Sequence, residues 1–197
     1  YLGVGLFNLK DKFIELIKRE TENAKKGRKA RMTLKMNSLQ DEEIINLLYD
    51  ASNAGVKIKL IVRGICCLVP GQKGMSENIE AISIIDRYLE HSRVFIFHNN
   101  GKQEVYLSSA DWMVRNLHFR VETVFPVLDP EIAKTIITCI NIQLNDNVKS
   151  RIIDAKLTNK YKKNTNDIAV RSQTETYYFI KRNEDSSTLS DQIKENI

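Results

Sequence analysis

Cysteine is scarce in this chain, and so is anything that would seat it in a membrane. The three cysteines among 197 residues, two of them adjacent at Cys66 and Cys67, form neither a metal-ligand spacing nor a disulfide framework. They are expected to be reduced thiols packed as small apolar groups. No apolar run reaches the length of a bilayer-spanning helix. The opening stretch, Tyr1 to Leu9, is apolar but stops at Lys10 and has no basic leader, which argues against a secretory signal. No internal repeat is apparent. The chain does not begin with methionine, and is taken to be a piece of something longer.

What is present suits a soluble domain with a full core: 42% hydrophobic and 28% charged residues. The net charge of +5 favours an anionic partner, whether nucleic acid, phosphate or an acidic membrane surface. Two basic stretches, Lys25 to Arg31 and Lys156 to Lys163, carry much of it. Each taken alone is ordinary solvated surface.

Asp11 to Lys26 places Phe13, Ile14 and Ile17 on one face of a helix that Gly27 ends. Arg31 to Met36 reads as a strand, Glu42 to Ala54 as a helix capped by Asp41, and Val56 to Val62 as a second strand. Strand, helix, strand in that order argues for a right-handed crossover and a parallel pair. Arg63-Gly64 then lies at the carboxyl end of a strand, the edge where open α/β sheets bind ligands. Ser76 to Tyr88 is expected to be a helix or a broken one, with Ile79, Ile82, Ile84 and Ile85 as its apolar residues.

Val94 to Phe97 and Val105 to Leu107, with Asn99-Asn-Gly101 between them, predict a β-hairpin. Since the start of one antiparallel strand lies beside the end of its partner, His91 and Arg93 are expected near Ser108, Ser109 and Asp111. An imidazole, a guanidinium, two hydroxyls and a carboxylate at one rim suit phosphate chemistry. Beyond it come a strand from Phe119 to Val127 and a helix from Glu131 to about Leu144, opened by Asp129-Pro130. Val148 to Leu157 and Arg171 to Lys181 read as further helices, and Asn183 to Ile197 as a polar, disordered tail. The fold class is α/β, a mixed β-sheet flanked by helices.

Four strings carry a resemblance: Leu34-Lys-Met-Asn37, Val62-Arg-Gly64, Ile82-Ser-Ile-Ile-Asp-Arg-Tyr-Leu-Glu-His91 and Val105-Tyr-Leu-Ser-Ser-Ala-Asp-Trp-Met113. With them the chain, from about Thr21 to about Lys181, resembles the C-terminal catalytic domain of bacterial polyphosphate kinase. The resemblance implies a phospholipase D-like fold over residues 31–182, with 1–30 a helix and linker from a preceding domain. It also implies reversible transfer of the ATP γ-phosphate to inorganic polyphosphate through a phosphohistidine, in a cytoplasmic enzyme that is either free or in peripheral contact with a membrane.

In that family the nucleophilic histidine lies in the preceding domain, outside this chain, so the chain alone is expected to be inactive. His91 matches the family's second active-site histidine, and Arg63 an arginine that binds nucleotide phosphates. Mg2+ is implied, with its ligands outside this chain. The implied partners are ATP or ADP, polyphosphate, the rest of a longer polypeptide and a second copy of it; no specific nucleic acid is implied.

The residue types agree with those roles. Phosphoryl transfer asks chiefly for charge stabilisation. Arg63 offers a planar fork to phosphate oxygens, and His91 is a group able to exchange a proton with a leaving phosphate. Arg93, Ser108 and Ser109 add donors, or the serines only cap the following turn. Asp111 orients His91 or an arginine, or is a helix N-cap. Lys35 and Asn37 can reach the same rim, or Lys35 points outward. Arg115 and Arg120 are weaker candidates for the anionic chain, and His98 and His118 are expected to be exposed.

Two other function classes fit in part. A phospholipase D-type phosphodiesterase or nuclease needs His-x-Lys-x(4)-Asp and a later Gly-Ser-x-Asn. Here the first element reads His91-Ser-Arg93 with His98 at the carboxylate position, and the later one reads Ser108-Ser-Ala-Asp111. A basic module that only binds polyanions accounts for the charge but not for the rim.

Overall fold

The computed structural model describes residues 2–163 and 168–195. Along the chain run β1 (Gly3–Val4), α1 (Leu9–Lys25), β2 (Arg31–Met36), α2 (Glu42–Asn53), β3 (Lys57–Val62), β4 (Ile79–Ile84), β5 (Arg93–Phe97) and β6 (Glu104–Ser108). These are followed by α3 (Val114–Phe119), β7 (Thr123–Pro126), α4 (Pro130–Leu144), β8 (Ser150–Ile152) and α5 (Ser172–Glu195). The strands form one mixed sheet in the order β1-β7-β6-β5-β2-β3-β4-β8. β2, β3 and β4 are parallel to one another, while β5 runs antiparallel beside β2. The direction therefore reverses between β2 and β5, in the middle of the sheet.

Alternation along the strands builds two cores. Met32, Leu34 and Met36 of β2, with Phe95 and Phe97 of β5, face α1 and α2. At the centre of that layer Phe95 stacks on Trp112 at 5.0 Å between centroids, and Phe13 of α1 meets the edge of Trp112 at 5.1 Å. All three side chains are fully buried, so each large ring contributes on the order of 2 kcal/mol or more. Ile61, Val94 and Ile96 point the other way, toward Ile140 of α4.

Local chemistry explains the elements that the sequence reading foresaw. The Asp41 carboxylate accepts from Ile44 N at 3.1 Å and caps α2, and Asp129 does the same for Glu131 and Ile132 of α4, where Pro130 fills the first turn. In the hairpin turn Asn99, Asn100 and Gly101 all have positive φ (45°, 51° and 94°), a conformation that asparagine and glycine tolerate best.

Five expectations are corrected. Residues 79–84 form a strand, because Ile79 to Ile82 pair in parallel with Ile58 to Ile61 of β3. Val148 to Leu157 holds the edge strand β8, antiparallel to β4, in place of a helix. The stretch 119–127 is divided between the end of α3 and a shorter strand, β7. The boundary expected at residue 30 does not separate two bodies: Leu9, Phe13, Leu16 and Ile17 of α1 are buried in the main core, and β1 pairs with β7. At the other end α5 continues through the supposed tail as far as Glu195, since no glycine or proline interrupts 172–195. Residues 196–197 lie outside the described residues.

Candidate functional site

At the carboxyl edge of the parallel strands the chain must travel from β4 to β5. Those strands are separated in the sheet by β3 and β2, so residues 85–92 cross the ends of both. This strap carries Arg87, Tyr88 and His91, all exposed. It lands on β2 through Glu90, whose carboxylate takes the ammonium of Lys35. Lys35 is thus buried at 5% exposure rather than turned outward.

A continuous series of hydrogen bonds runs beneath the strap. The Arg63 guanidinium donates through Nε to Asn37 Oδ1 at 3.0 Å. The backbone N–H groups of Asn37 and Ser38 donate to Asp111 Oδ1 at 2.7 and 3.2 Å. Asp111 holds Arg93 from both oxygens, at 3.2 Å to Nε and 3.0 Å to Nη2, and Arg93 Nη1 reaches the carbonyl of His91 at 2.8 Å. Asp111 sits where it does because Trp112 beside it is locked in the aromatic cluster, with Trp112 N donating to Ser38 O and Trp112 O accepting from Gln40 and Asp41. Gly64 lets the chain leaving β3 come close: its N–H reaches Asn37 O at 2.8 Å, and a side chain there would stand 3.1 Å from that oxygen.

Charge around this rim is uneven. Lys35 is paired with Glu90 and Arg93 with Asp111. The bidentate guanidinium of Arg171 holds the Asp86 carboxyl below its ordinary value. Arg63, half-buried, is tied only to a neutral amide, and its Nη1 and Nη2 have no intramolecular partner among the described residues. The His91 imidazole is likewise unpartnered there; only its carbonyl is engaged.

Of the residues singled out from sequence, Arg63, Asn37, Asp111, Arg93 and the backbone of His91 come together in this series. Ser108 and Ser109 do not join it. Ser108 Oγ donates to Thr123 O at 2.7 Å and accepts from Ala110 N. Ser109 Oγ bonds the Glu122 carboxylate and accepts from Thr123 N. Both hydroxyls are used to fasten β6 to β7, so they are not free donors. Asp111 orients an arginine and not the His91 ring, and it caps no helix, since α3 begins after Met113.

Arg115 and Arg120 are exposed. His98 is half-buried, and His118 lies against Lys10 and Asp41. Cys67 is exposed, whereas burial pushes the Cys66 thiol up to about 11. Glu90, Gln143, Arg171 and Gln173 were not foreseen as part of the site. Among the described residues no three His, Cys, Asp or Glu side chains converge as metal ligands, and no helix is long and apolar enough to cross a membrane.

Residues 2–173 match the family described as polyphosphate kinase C-terminal domain 2. The chain belongs to that family. It is 50% identical over 181 residues to the polyphosphate kinase of Vibrio parahaemolyticus, an alignment that covers 92% of this chain and 26% of the relative. The polyphosphate kinase of Escherichia coli K12 is 46% identical, again over 92% of this chain and 26% of its own. The crystal structure of polyphosphate kinase from Porphyromonas gingivalis superposes with a TM-score of 0.91 and 51% identity, over 94% of this chain and 28% of that one.

The fold is also that of the phospholipase D family. Nuc from Salmonella typhimurium aligns at a TM-score of 0.54 and 15% identity, over 79% of this chain and 99% of that one. The chain thus spans about a quarter of the length of the curated relatives it matches.

Proposed function

We propose that this chain forms the phosphate-binding wall of a polyphosphate kinase, in which the terminal phosphoryl group of ATP passes reversibly to the end of a polyphosphate chain and ADP is released. The observation that carries this reading is the state of Arg63. Its guanidinium is aimed by a neutral amide through Nε, so the full positive charge and the Nη1/Nη2 fork remain for phosphate oxygens at the carboxyl edge of the sheet. His91, on the strap that crosses the same edge, donates a hydrogen bond or proton to the oxygen that leaves with ADP and takes it back in the reverse direction. The nucleophilic histidine is supplied by the longer polypeptide outside this chain. Mg2+, where it takes part, is held by groups outside this chain too.

A phosphodiesterase has weaker support, because the arginine at the lysine position of the phospholipase D motif is committed to Asp111. The test uses the full-length protein. Arg63→Ala and His91→Ala are each expected to lower kcat/KM for polyphosphate synthesis by roughly 10²- to 10³-fold, the usual loss for one charge-stabilising donor, with the fold retained. Undiminished synthesis in both variants would overturn the assignment, as would ATP-dependent synthesis by the 197-residue chain alone.

A further inference from the structure

The strap that carries His91 has almost no backbone structure of its own. Among the described residues, no backbone-to-backbone hydrogen bond holds residues 86–91. Such a segment would ordinarily sample many conformations, and fixing one residue costs roughly 1–2 kcal/mol of backbone entropy. Here side chains from the first turn of α5 take the place of a neighbouring strand. Gln173 Oε1 accepts from Tyr88 N at 3.0 Å, and its Nε2 donates to Tyr88 O at 2.7 Å and to Glu90 Oε1 at 3.1 Å. One carboxamide thus satisfies both backbone groups of a single residue, as a β-ladder would, and only a side chain with donor and acceptor together can do so.

Two neighbours complete the attachment. Arg171 grips Asp86 through Nε at 2.8 Å and Nη2 at 2.5 Å. Gln143 of α4 donates to Glu90 at 3.1 Å. The base to which these groups are fastened is itself fixed, because Asp146 accepts from Val148, Lys149 and Ser150 with one oxygen and from Ser172 N, at the start of α5, with the other.

We propose that Gln173, supported by Arg171, is a positioning residue that holds His91 in register with Arg63, so that α5 acts as a clamp on the catalytic strap. This rests on the phosphate-transfer role given to His91 above. Gln173 touches no substrate. It acts by fixing Tyr88 and Glu90, the residues three and one positions before His91, and a reacting group misplaced by about 1 Å can lose on the order of 100-fold in rate.

The experiment compares Gln173→Ala, Gln173→Glu, His91→Ala and the double variant Gln173→Ala/His91→Ala in the full-length protein. It measures kcat and KM for ATP-dependent polyphosphate synthesis, melting temperature, and hydrogen exchange of the Tyr88 amide. Gln173→Ala is expected to lower kcat roughly 10- to 100-fold, leave the KM for polyphosphate and the melting temperature nearly unchanged, and speed exchange at Tyr88. Gln173→Glu keeps the acceptor for Tyr88 N but loses both donated bonds and meets Glu90, so it is expected to lose kcat as well.

In the His91→Ala background the Gln173→Ala change should add nothing, since two residues acting through one step are not additive. Wild-type kcat in Gln173→Ala and Gln173→Glu, with Tyr88 exchange accelerated, would overturn the clamp and leave the role of His91 standing. A loss that multiplies in the double variant would do the same. Full activity of His91→Ala would remove the underlying assignment and the clamp together. If Gln173→Ala fails to fold, Gln173→Glu decides by the same measurements.

Discussion

Replacing Asp111 tests whether the buried carboxylate organises the rim or merely fills space. Asp111 is 6% exposed, and the side chain of its partner Arg93 is 18% exposed. Asp111→Ala would leave the guanidinium without its counter-charge and strand the N–H groups of Asn37 and Ser38. Breaking a buried ion pair costs about 3–5 kcal/mol, and Arg93 is open enough to water to put this one at the low end. Each stranded buried amide adds about 1–3 kcal/mol, less for Ser38, which is half-buried. The expected loss for Asp111→Ala is therefore about 4–6 kcal/mol.

Asp111→Asn keeps one acceptor oxygen for the two amides but loses the charge and the oxygen that accepts from Arg93 Nη2, so about 3 kcal/mol is expected by the same reasoning. The gap between the two variants reports on the amides. Urea unfolding followed by circular dichroism checks both values, and with a slope of roughly 2 kcal/mol per molar the Ala variant should shift its midpoint by about 2–3 M. A loss below about 1 kcal/mol in Asp111→Ala, or equal losses in the two variants, would refute the reasoning.

Three other outcomes follow from the same coordinates. At Gly5 an added Cβ would stand 2.3 Å from Arg120 O and 2.7 Å from Glu122 N; both are backbone atoms, so Gly5→Ala should push β1 off β7 and cost about 1–3 kcal/mol, read as a fall of roughly 2–4 °C in Tm per kcal/mol. Burial alone would raise the Asp146 carboxyl, but the hydrogen bonds it accepts, led by those from the amides of Lys149, Ser172 and Ser150, outweigh it and hold it below the usual carboxylate value. That depressed value means its stabilisation is full above the unfolded pKa of about 3.9 and is lost as pH falls through the folded value. The deficit of Asp146→Asn should thus shrink between pH 7 and pH 3, and a pH-independent deficit in urea unfolding would contradict it. Asn37→Asp would place a carboxylate on Arg63 Nε and neutralise the fork; the KM for ATP in the full-length protein should rise about tenfold or more, equivalent to about 1.4 kcal/mol, while an unchanged KM would argue against Arg63 as the phosphate ligand.

Elements fixed by nearby residues could be read from the sequence. The caps at Asp41 and Asp129 act within one turn, and the hairpin is set by its own Asn-Asn-Gly turn. β4 is not legible locally, because isoleucines at 79, 82, 84 and 85 satisfy helical and strand spacing about equally; the ladder to β3 that decides between them is not a local property. β8 is an edge strand of three residues, too short to show a period. The serines were placed at the right end of β6, yet the direction of their hydroxyls depends on β7, which no pattern within the hairpin specifies. The attachment of the strap was hidden for a related reason. Asp86 and Tyr88 find their partners at Arg171 and Gln173, in a stretch whose polar composition carried little signal.

The distribution of charge explains why the rim is built with so many internal ion pairs. Placing Lys35, Arg93 and Arg171 near one another without counter-charges would raise a repulsive potential that destabilises the fold and binds any anion indiscriminately. Glu90, Asp111 and Asp86 cancel those three cations locally, and each of the carboxylates is also used to fix backbone or loop geometry. Arg63 differs from these three in that its side-chain partner, the Asn37 amide, is neutral. Cancellation at three places and its omission at Arg63 leave the Arg63 charge available at this edge. On the proposed reading, a phosphate approaching the edge of the sheet would meet the oriented fork of Arg63 and the His91 imidazole, which is unpartnered among the described residues, on the strap that crosses it.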